Sequence, residues 1–252
     1  MIGFITIYYG APAPSNARRK VDSPGLGMYP CTEVPPPSMV KPKHPEGAPM
    51  PLIILFVKAP EIGKVKTRLA ARLGNATALA LYRRFVEITL ARLAPLGSVR
   101  IAYTPENQKK LMEAWLPGHP EMRPQRGDDL GQRMENALME AFSDGHDKAV
   151  VMGGDIPDLP VDRIRGAFSE LETHDMVIVP VSDGGYCLVG ARKGTLLAPV
   201  FDKMRWSCSS VTEETVRRAK ANGITLRLLD GWHDIDTADD LLAFVRRQGE
   251  PP

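Results

Sequence analysis

Cysteine is scarce in this chain, with Cys31, Cys187 and Cys208 the only three in 252 residues. They are too few and too scattered for a disulfide framework, and no CxxC pair offers a structural zinc site. A reducing, cytoplasmic setting is the expectation. An excess of either charge is also missing: 32 Lys and Arg face 30 Asp and Glu, for a formal net charge of +2. That balance excludes a protein that grips nucleic acid by bulk electrostatics, which needs a large basic surplus. No run reaches the roughly 18 apolar residues of a membrane-spanning helix. No G-x-G-x-x-G opens a helix after a strand, which argues against a redox dinucleotide fold. What remains is ordinary globular composition, 43% hydrophobic and 25% charged, enough for one sizeable core.

Proline is unevenly spread. Ten of the 23 prolines lie within residues 1–50. Because proline fixes φ and removes a donor, that segment reads as an extended, proline-rich disordered leader. The run Ile2–Tyr9 has no basic residue before it, which argues against a secretory signal. Met50, just ahead of the first strand-like run, is an alternative start. The leader carries five bases and three acids, so the remainder holds 27 of each. The expected organisation is a leader at 1–50, one domain at 51–248 and a tail at 249–252.

Order begins at Leu52. Residues 52–57 are continuously apolar, as in a strand buried on both faces of a parallel sheet. Ala78, Tyr82, Phe85, Val86 and Leu93 follow at helical spacing. Further strands are expected at 98–104, 149–152, 176–181 and 224–229, and helices at 106–115, after Asp129, at 161–172 and from Ser210. Ser210 with Glu213, and Thr237 with Asp240, have capping-box spacing. Strands alternating with helices predict a three-layer α/β/α domain with a mostly parallel sheet. In such sheets ligands bind beyond the carboxyl ends of the strands, so the post-strand loops are where chemistry is sought.

The loop after the first strand carries Lys58, Lys64, Lys66 and Arg68 against a lone Glu61. Several cations there suit nucleotide phosphates, with Arg68 able to bind bidentately; a solvated basic loop is the plain alternative. A Walker A reading fails at Gly63-Lys64, because Val65 follows where Ser or Thr is required. After the strand at 149–152 comes Gly153-Gly-Asp-Ile-Pro-Asp-Leu159. Its paired glycines allow close backbone approach by a ligand, and Asp155 fits a Mg²⁺ ligand, since that cation takes carboxylate and phosphate oxygens together. Asp158 reads as a turn or helix cap. Asp234 and Asp236 flank one residue, so in extended chain both face the same side; one of them would supply a second metal carboxylate, the alternative being a helix cap or a simple ion pair. Ser182-Asp-Gly-Gly-Tyr186 is a hairpin turn, or a place where Asp183, Gly184, Gly185 and Tyr186 meet an acceptor. Arg133 reaches a phosphate, or its segment only starts a helix. Trp206 positions a ligand ring or packs. His233 reads as a surface residue.

Together these loops resemble the GT-A, nucleotide-diphospho-sugar transferase superfamily. Gly154-Asp-Ile-Pro-Asp-Leu159 resembles its GDxP-type metal motif, and Asp234-Ile-Asp-Thr-Ala-Asp-Asp-Leu241 its late aspartate segment, with Ala238 where proline is usual. VKAPEIGKVKTRLA, DLGQRM, GGDIPDLP, SDGGYCLVG and WSCSSV are similar to a bacterial GT-A glycosyltransferase-like family associated with arsenosugar biosynthesis, itself distantly similar to phospholactate guanylyltransferases. The resemblance implies the GT-A, Rossmann-like fold, Mg²⁺ or Mn²⁺ on Asp155 and a late aspartate, Asp236, and nucleotide phosphates on Lys64, Lys66 and Arg68. The leading expectation is a Mg²⁺-dependent glycosyltransferase using a nucleotide-activated sugar and a small-molecule acceptor, with Asp155 and Asp183 as its catalytic carboxylates. The alternatives are a nucleotidyltransferase, joining an NTP to a phosphorylated small molecule with pyrophosphate release, and a non-catalytic nucleotide-binding protein.

Overall fold

The apolar run at 52–57 becomes a central strand because both of its faces are covered. The computed structural model describes residues 51–118 and 121–249; the expected leader and the end of the expected tail fall outside them. Strand β1, Leu52–Lys58, pairs in parallel with β2, Ser98–Thr104, on one side and with β4, Lys148–Gly153, on the other. The remaining strands are β3 (Met122–Pro124), β5 (Met176–Pro180), β6 (Tyr186–Arg192) and β7 (Leu226–Leu228). Among the described residues, one seven-stranded sheet runs in the order β3-β2-β1-β4-β6-β5-β7. Only β6 runs antiparallel to its neighbours, and it does so against both β4 and β5. The sheet is therefore mostly parallel, as the alternating pattern predicts.

Helices α1 (Thr67–Leu73), α2 (Asn75–Leu93), α3 (Lys109–Trp115), α4 (Leu130–Ser143), α5 (Val161–Glu170), α6 (Ala198–Phe201), α7 (Val211–Ala221) and α8 (Ala238–Gly249) complete the chain. Side chains alternate along β1. Ile53, Leu55 and Val57 pack with Val86 and Leu90 of α2 and Ile164 of α5. Leu52 and Ile54 pack with Met134 and Leu138 of α4 and Ala219 of α7 on the opposite face. Two apolar layers thus sandwich the sheet, giving α/β/α. None of the described helices is long and apolar enough to cross a membrane.

Several local expectations are corrected. The basic loop is shorter than the sequence pattern implies, since Thr67 and Arg68 already belong to α1, which Gly74 at φ 81° separates from α2. Strand β3 has no sequence signal: it is three residues long and holds Pro124, tolerable because it lies at the sheet edge. Strand β7 is also three residues rather than the expected six, because Thr225 is drawn into bonds with Asp175. Ser210 makes no side-chain cap to α7; its hydroxyl lies 3.3 Å from Cys208 Sγ instead. The Thr237–Asp240 box does form: Asp240 Oδ2 accepts from Thr237 N at 2.7 Å and Thr237 Oγ1 accepts from Asp240 N at 3.2 Å.

The sheet's geometry selects one place for chemistry. The carboxyl ends of β1 and β4 lie side by side, with Phe56 opposite Gly153, while the chain leaves β1 toward β2 on the other side. That is a topological switch point, where the loops diverge and leave a crevice.

Candidate active site

Lys66 enters this crevice from the β1 loop. Val65 on one side is 3% exposed and Leu69 on the other is fully buried, so two apolar anchors fix the backbone around it. Lys66 itself adopts the left-handed conformation, φ 47° and ψ 48°, at the N-cap of α1. For a residue with a Cβ this costs about 1–2 kcal/mol, and such strain is concentrated at functional positions. The side chain, only 5% exposed, puts Nζ 2.9 Å from Asp155 Oδ2 and 2.7 Å from Asp236 Oδ1. Burial disfavours the ammonium, but Asp155 and Asp236 outweigh it and raise the Lys66 pKa above the ordinary lysine value.

Asp155 follows β4. The two glycines before it are required by the protein's own packing. A Cβ on Gly153 would sit 2.6 Å from Asp155 Oδ1, and one on Gly154 would sit 2.9 Å from Val86 Cγ2. The first glycine lets the carboxylate fold back over the strand end; the second lets β4 meet α2. Asp234 and Asp236 arrive on the segment after β7. Between them Ile235 is completely buried, and its N–H donates to the Asp155 carbonyl at 3.3 Å. Burying Ile235 turns both flanking carboxylates to the other side, as their spacing predicts. Asp236 is then held by its own N–H donating to Asp240 Oδ2 at 3.1 Å.

The charges of Asp236, Asp155 and, from the β5–β6 hairpin, Asp183 all act on Asp234. The Asp234 carboxyl is pushed up to about 6, first by burial and then by Asp236, Asp155 and Asp183. Cys187 stays a thiol, its pKa pushed up to about 12 by burial and by Asp155. Of the four cations expected after the first strand, Lys66 is at the centre and Arg68 at the rim, 71% exposed and 3.5 Å from Asp236 Oδ2. The Lys64 ammonium pairs with Glu61 at 3.1 Å. The Lys58 backbone is clamped by Tyr82, whose hydroxyl accepts from Lys58 N at 2.7 Å and donates to Lys58 O at 2.9 Å.

The other predicted residues lie elsewhere. Asp183 is exposed, and its Oδ1 accepts from Gly185 N at 3.0 Å within the β5–β6 hairpin. Gly184, at φ 89°, is obligatory, since a Cβ there would fall 1.9 Å from the Ser209 carbonyl oxygen. Thr212 donates to both glycine carbonyls, from N to Gly184 O at 2.9 Å and from Oγ1 to Gly185 O at 2.7 Å. The hairpin turn is therefore docked on the first turn of α7 and the loop before it. Tyr186 and Trp206 meet edge to face at 6.3 Å and pack against the second-face core. Gly131 makes room for the indole, as its Cβ would sit 2.6 Å from Trp206 Cζ2. Arg133 Nε donates to Gly127 O at 3.0 Å, in a separate cleft of about 290 Å³ between α4 and β2–β3. Asp129 caps α4, accepting from Gln132 N at 2.9 Å. His233 is exposed, as expected.

Sequence reasoning missed two supports. Asp158 is not the cap of α5, whose N-cap is Pro160. It is 7% exposed and accepts from Trp232 Nε1 at 3.1 Å and Arg247 Nε at 2.9 Å, tying the β4 loop to the late segment and α8. Tyr82 looks like a core residue of α2 in the sequence, and nothing there signals its hydroxyl's bonds to Lys58.

Among the described residues no three His, Cys, Asp or Glu side chains converge as a ready-made metal cage. A cage is not required for magnesium, which binds through one or two carboxylates and takes its other ligands from substrate phosphates and water. Asp155 and Asp236 are hard oxygen donors already bridged by one cation, so the residues fit such an ion.

Comparison with known proteins places the chain among relatives. The bacterial family described as "Uncharacterized protein conserved in bacteria (DUF2064)" matches residues 88–208. A solved structure from Desulfovibrio desulfuricans G20, provisionally named a nucleotide-diphospho-sugar transferase, is 40% identical, with a TM-score of 0.75 over 79% of this chain and 87% of that one. The chain belongs to the DUF2064 family. This DUF2064 protein is also 27% identical, over 72% of its length and 84% of the relative's, to 3-phospho-D-glycerate guanylyltransferase of Phenylobacterium zucineum (strain HLK1). The 4-diphosphocytidyl-2C-methyl-D-erythritol synthase of Anaerococcus prevotii DSM 20548 shares the fold alone, at 11% identity and a TM-score of 0.52 over 78% of this chain and 99% of that one. These relatives are transferases, and the chain is an enzyme of that class.

Proposed function

We propose that this DUF2064 protein is a divalent-metal-dependent nucleotidyltransferase that joins an NTP to a phosphorylated small molecule and releases pyrophosphate. The observation that carries this reading is the meeting of Lys66, Asp155 and Asp236, brought from three separate loops to within 2.9 Å of one ammonium at the switch point. Similarity to a guanylyltransferase along most of the chain supports the same chemistry. Asp155 and Asp236 would hold Mg²⁺ or Mn²⁺, which neutralises charge on the triphosphate when bound. Lys66 and Arg68 would stabilise the charge that develops as an acceptor phosphate oxygen bonds to the α-phosphorus and the bridging bond to the β-phosphate breaks. The electron pair of that bond leaves with pyrophosphate. An acceptor phosphate is already ionised near neutral pH, so no general base is needed, which fits Asp183 being engaged in its own turn.

A second reading, glycosyl transfer from a nucleotide sugar, is favoured by the similarity to the D. desulfuricans protein. It would require a base for an acceptor hydroxyl, and Asp234, with its pKa pushed up to about 6, is better suited than Asp183. Incubation of the full chain with Mg²⁺, each NTP and a panel of phosphorylated acceptors, and separately with nucleotide sugars, tests both. Acceptor-dependent pyrophosphate is expected. Release of free nucleoside diphosphate from a nucleotide sugar, with no pyrophosphate from any NTP, would replace the first reading by the second.

A further inference from the structure

We propose that Lys66 is a built-in counter-ion that keeps a divalent cation off the Asp155–Asp236 pair until a phosphate arrives to take its ammonium. The inference rests on the nucleotide reading above and adds an order to it: free metal enters poorly, and metal and nucleotide phosphates load together. Lys66 Nζ bridges the two carboxylates at 2.9 and 2.7 Å, the contacts a divalent ion would make. An ammonium and a metal cannot share those oxygens, because two cations at contact distance in a partly desolvated crevice repel strongly. The backbone cannot yield, since Val65 and Leu69 are buried on either side of Lys66. The long side chain can, provided that its charge finds a new partner.

The neighbouring cations mark where that partner is drawn. Lys64 in the loop and Arg68 in the first turn of α1 flank Lys66 at 69% and 71% exposure, so the open side is positive while the inner side faces carboxylates. A polyphosphate attracted there offers oxygens that the Lys66 ammonium can accept in exchange for Asp155 and Asp236. The coupling must be reciprocal: a ligand that draws Lys66 away raises metal affinity, and the metal raises that ligand's affinity by the same factor.

The test is calorimetric titration of Mn²⁺ into the full chain without nucleotide, comparing wild type with Lys66→Gln and Arg68→Gln. Lys66→Gln is expected to bind Mn²⁺ at least about tenfold more tightly than wild type. Arg68→Gln, which removes an exposed and screened charge beside the same Asp236, should change the affinity by less than about threefold. Equal Mn²⁺ affinity in wild type and Lys66→Gln would overturn the proposal. Titrations with the α,β-methylene analogues of the four NTPs keep the two readings apart. If none binds wild type with Mn²⁺ present, the nucleotide reading fails, while the nucleotide-free titration still decides the competition at Lys66. Should Lys66→Gln not fold, NMR of the lysine ammonium groups in wild type gives the answer. Mg²⁺ alone should leave the Lys66 signal unchanged and Mg²⁺ with a binding analogue should shift it; a full shift with Mg²⁺ alone would refute the counter-ion role.

Discussion

Two buried cations in this protein, Lys66 and Arg100, are each held by carboxylates, yet they sit in opposite electrostatic settings. Arg100 projects from β2, is 2% exposed, and donates from Nε to Glu121 at 2.7 Å and from Nη2 to Asp144 at 2.6 Å. Arg123 joins it, bonding to Glu121, Glu140 and Asp144 at 2.9–3.0 Å. Two guanidiniums meet three acids, with Arg100 Nη1 alone left buried and without a hydrogen-bond partner. Although burial works against it, Arg100 and Arg123 hold the Asp144 carboxyl below its usual range. Around Lys66, Asp155 and Asp236 meet one buried ammonium and one exposed guanidinium, and the neighbouring Asp234 carboxyl is driven up to about 6. Opposite shifts distinguish an ion network whose charges are paired from a cluster that still demands positive charge. Only the second is suited to recruiting a metal and phosphates.

That contrast can be broken by experiment. The largest expected effect is from Asp155→Asn, which should lower pyrophosphate release at least about 10³-fold, roughly 4 kcal/mol of transition-state stabilisation. Its circular dichroism and melting temperature should stay near wild type, and retained turnover would remove Asp155 from the site. Arg100→Met should do the reverse. Removing the buried guanidinium from Glu121 and Asp144, which keep only Arg123, should cost about 3 kcal/mol in urea unfolding, with turnover per folded molecule unchanged; a selective loss of turnover would make the Arg100 network part of the site.

Gly184→Ala probes the docking of the turn that carries Asp183. The left-handed backbone and the 1.9 Å approach to Ser209 O should cost about 2–4 kcal/mol in the same assay. Wild-type stability would mean that the turn is not docked on the loop before α7. The smallest effect is expected from Asp234→Asn. A carboxyl whose folded pKa is raised stabilises the fold below its unfolded pKa of 3.8 and loses that stabilisation as pH rises through about 6. The asparagine variant should therefore melt higher than wild type near pH 8 and alike near pH 4. A pH-independent difference would mean that Asp234 is not repelled by its neighbours.

Much of this was legible because it is local. Continuous burial of residues 52–57, the Thr237–Asp240 box and the hairpin at 182–186 follow from side-chain period and turn chemistry, which act over a few residues. Asp234 and Asp236 could be placed on one side of the chain because strand alternation is strict. The gathering of post-strand loops was legible too, since parallel sheets put such loops at one end. What stayed hidden depends on distant chain. The four loop cations looked equivalent, yet only the Lys66 side chain is turned inward, 5% exposed and within 2.9 Å of Asp155 and Asp236. Gly153 and Gly154 looked like room for a ligand, and the room belongs to Asp155 and Val86. Asp158 looked like a local cap, and its partners lie 74 and 89 residues away.

The sequence by itself determined the layered α/β fold, the end of the sheet where chemistry gathers and the acidic and basic character of the loops there, because period and composition are properties of neighbouring residues. Only the tertiary structure decided that Lys66 rather than Lys64 meets Asp155 and Asp236, and that the carboxylates outnumber the cations around it. Those facts depend on which loops the strand order brings together, and at 2.7–2.9 Å the energy of a charge depends on its neighbours in space rather than along the chain.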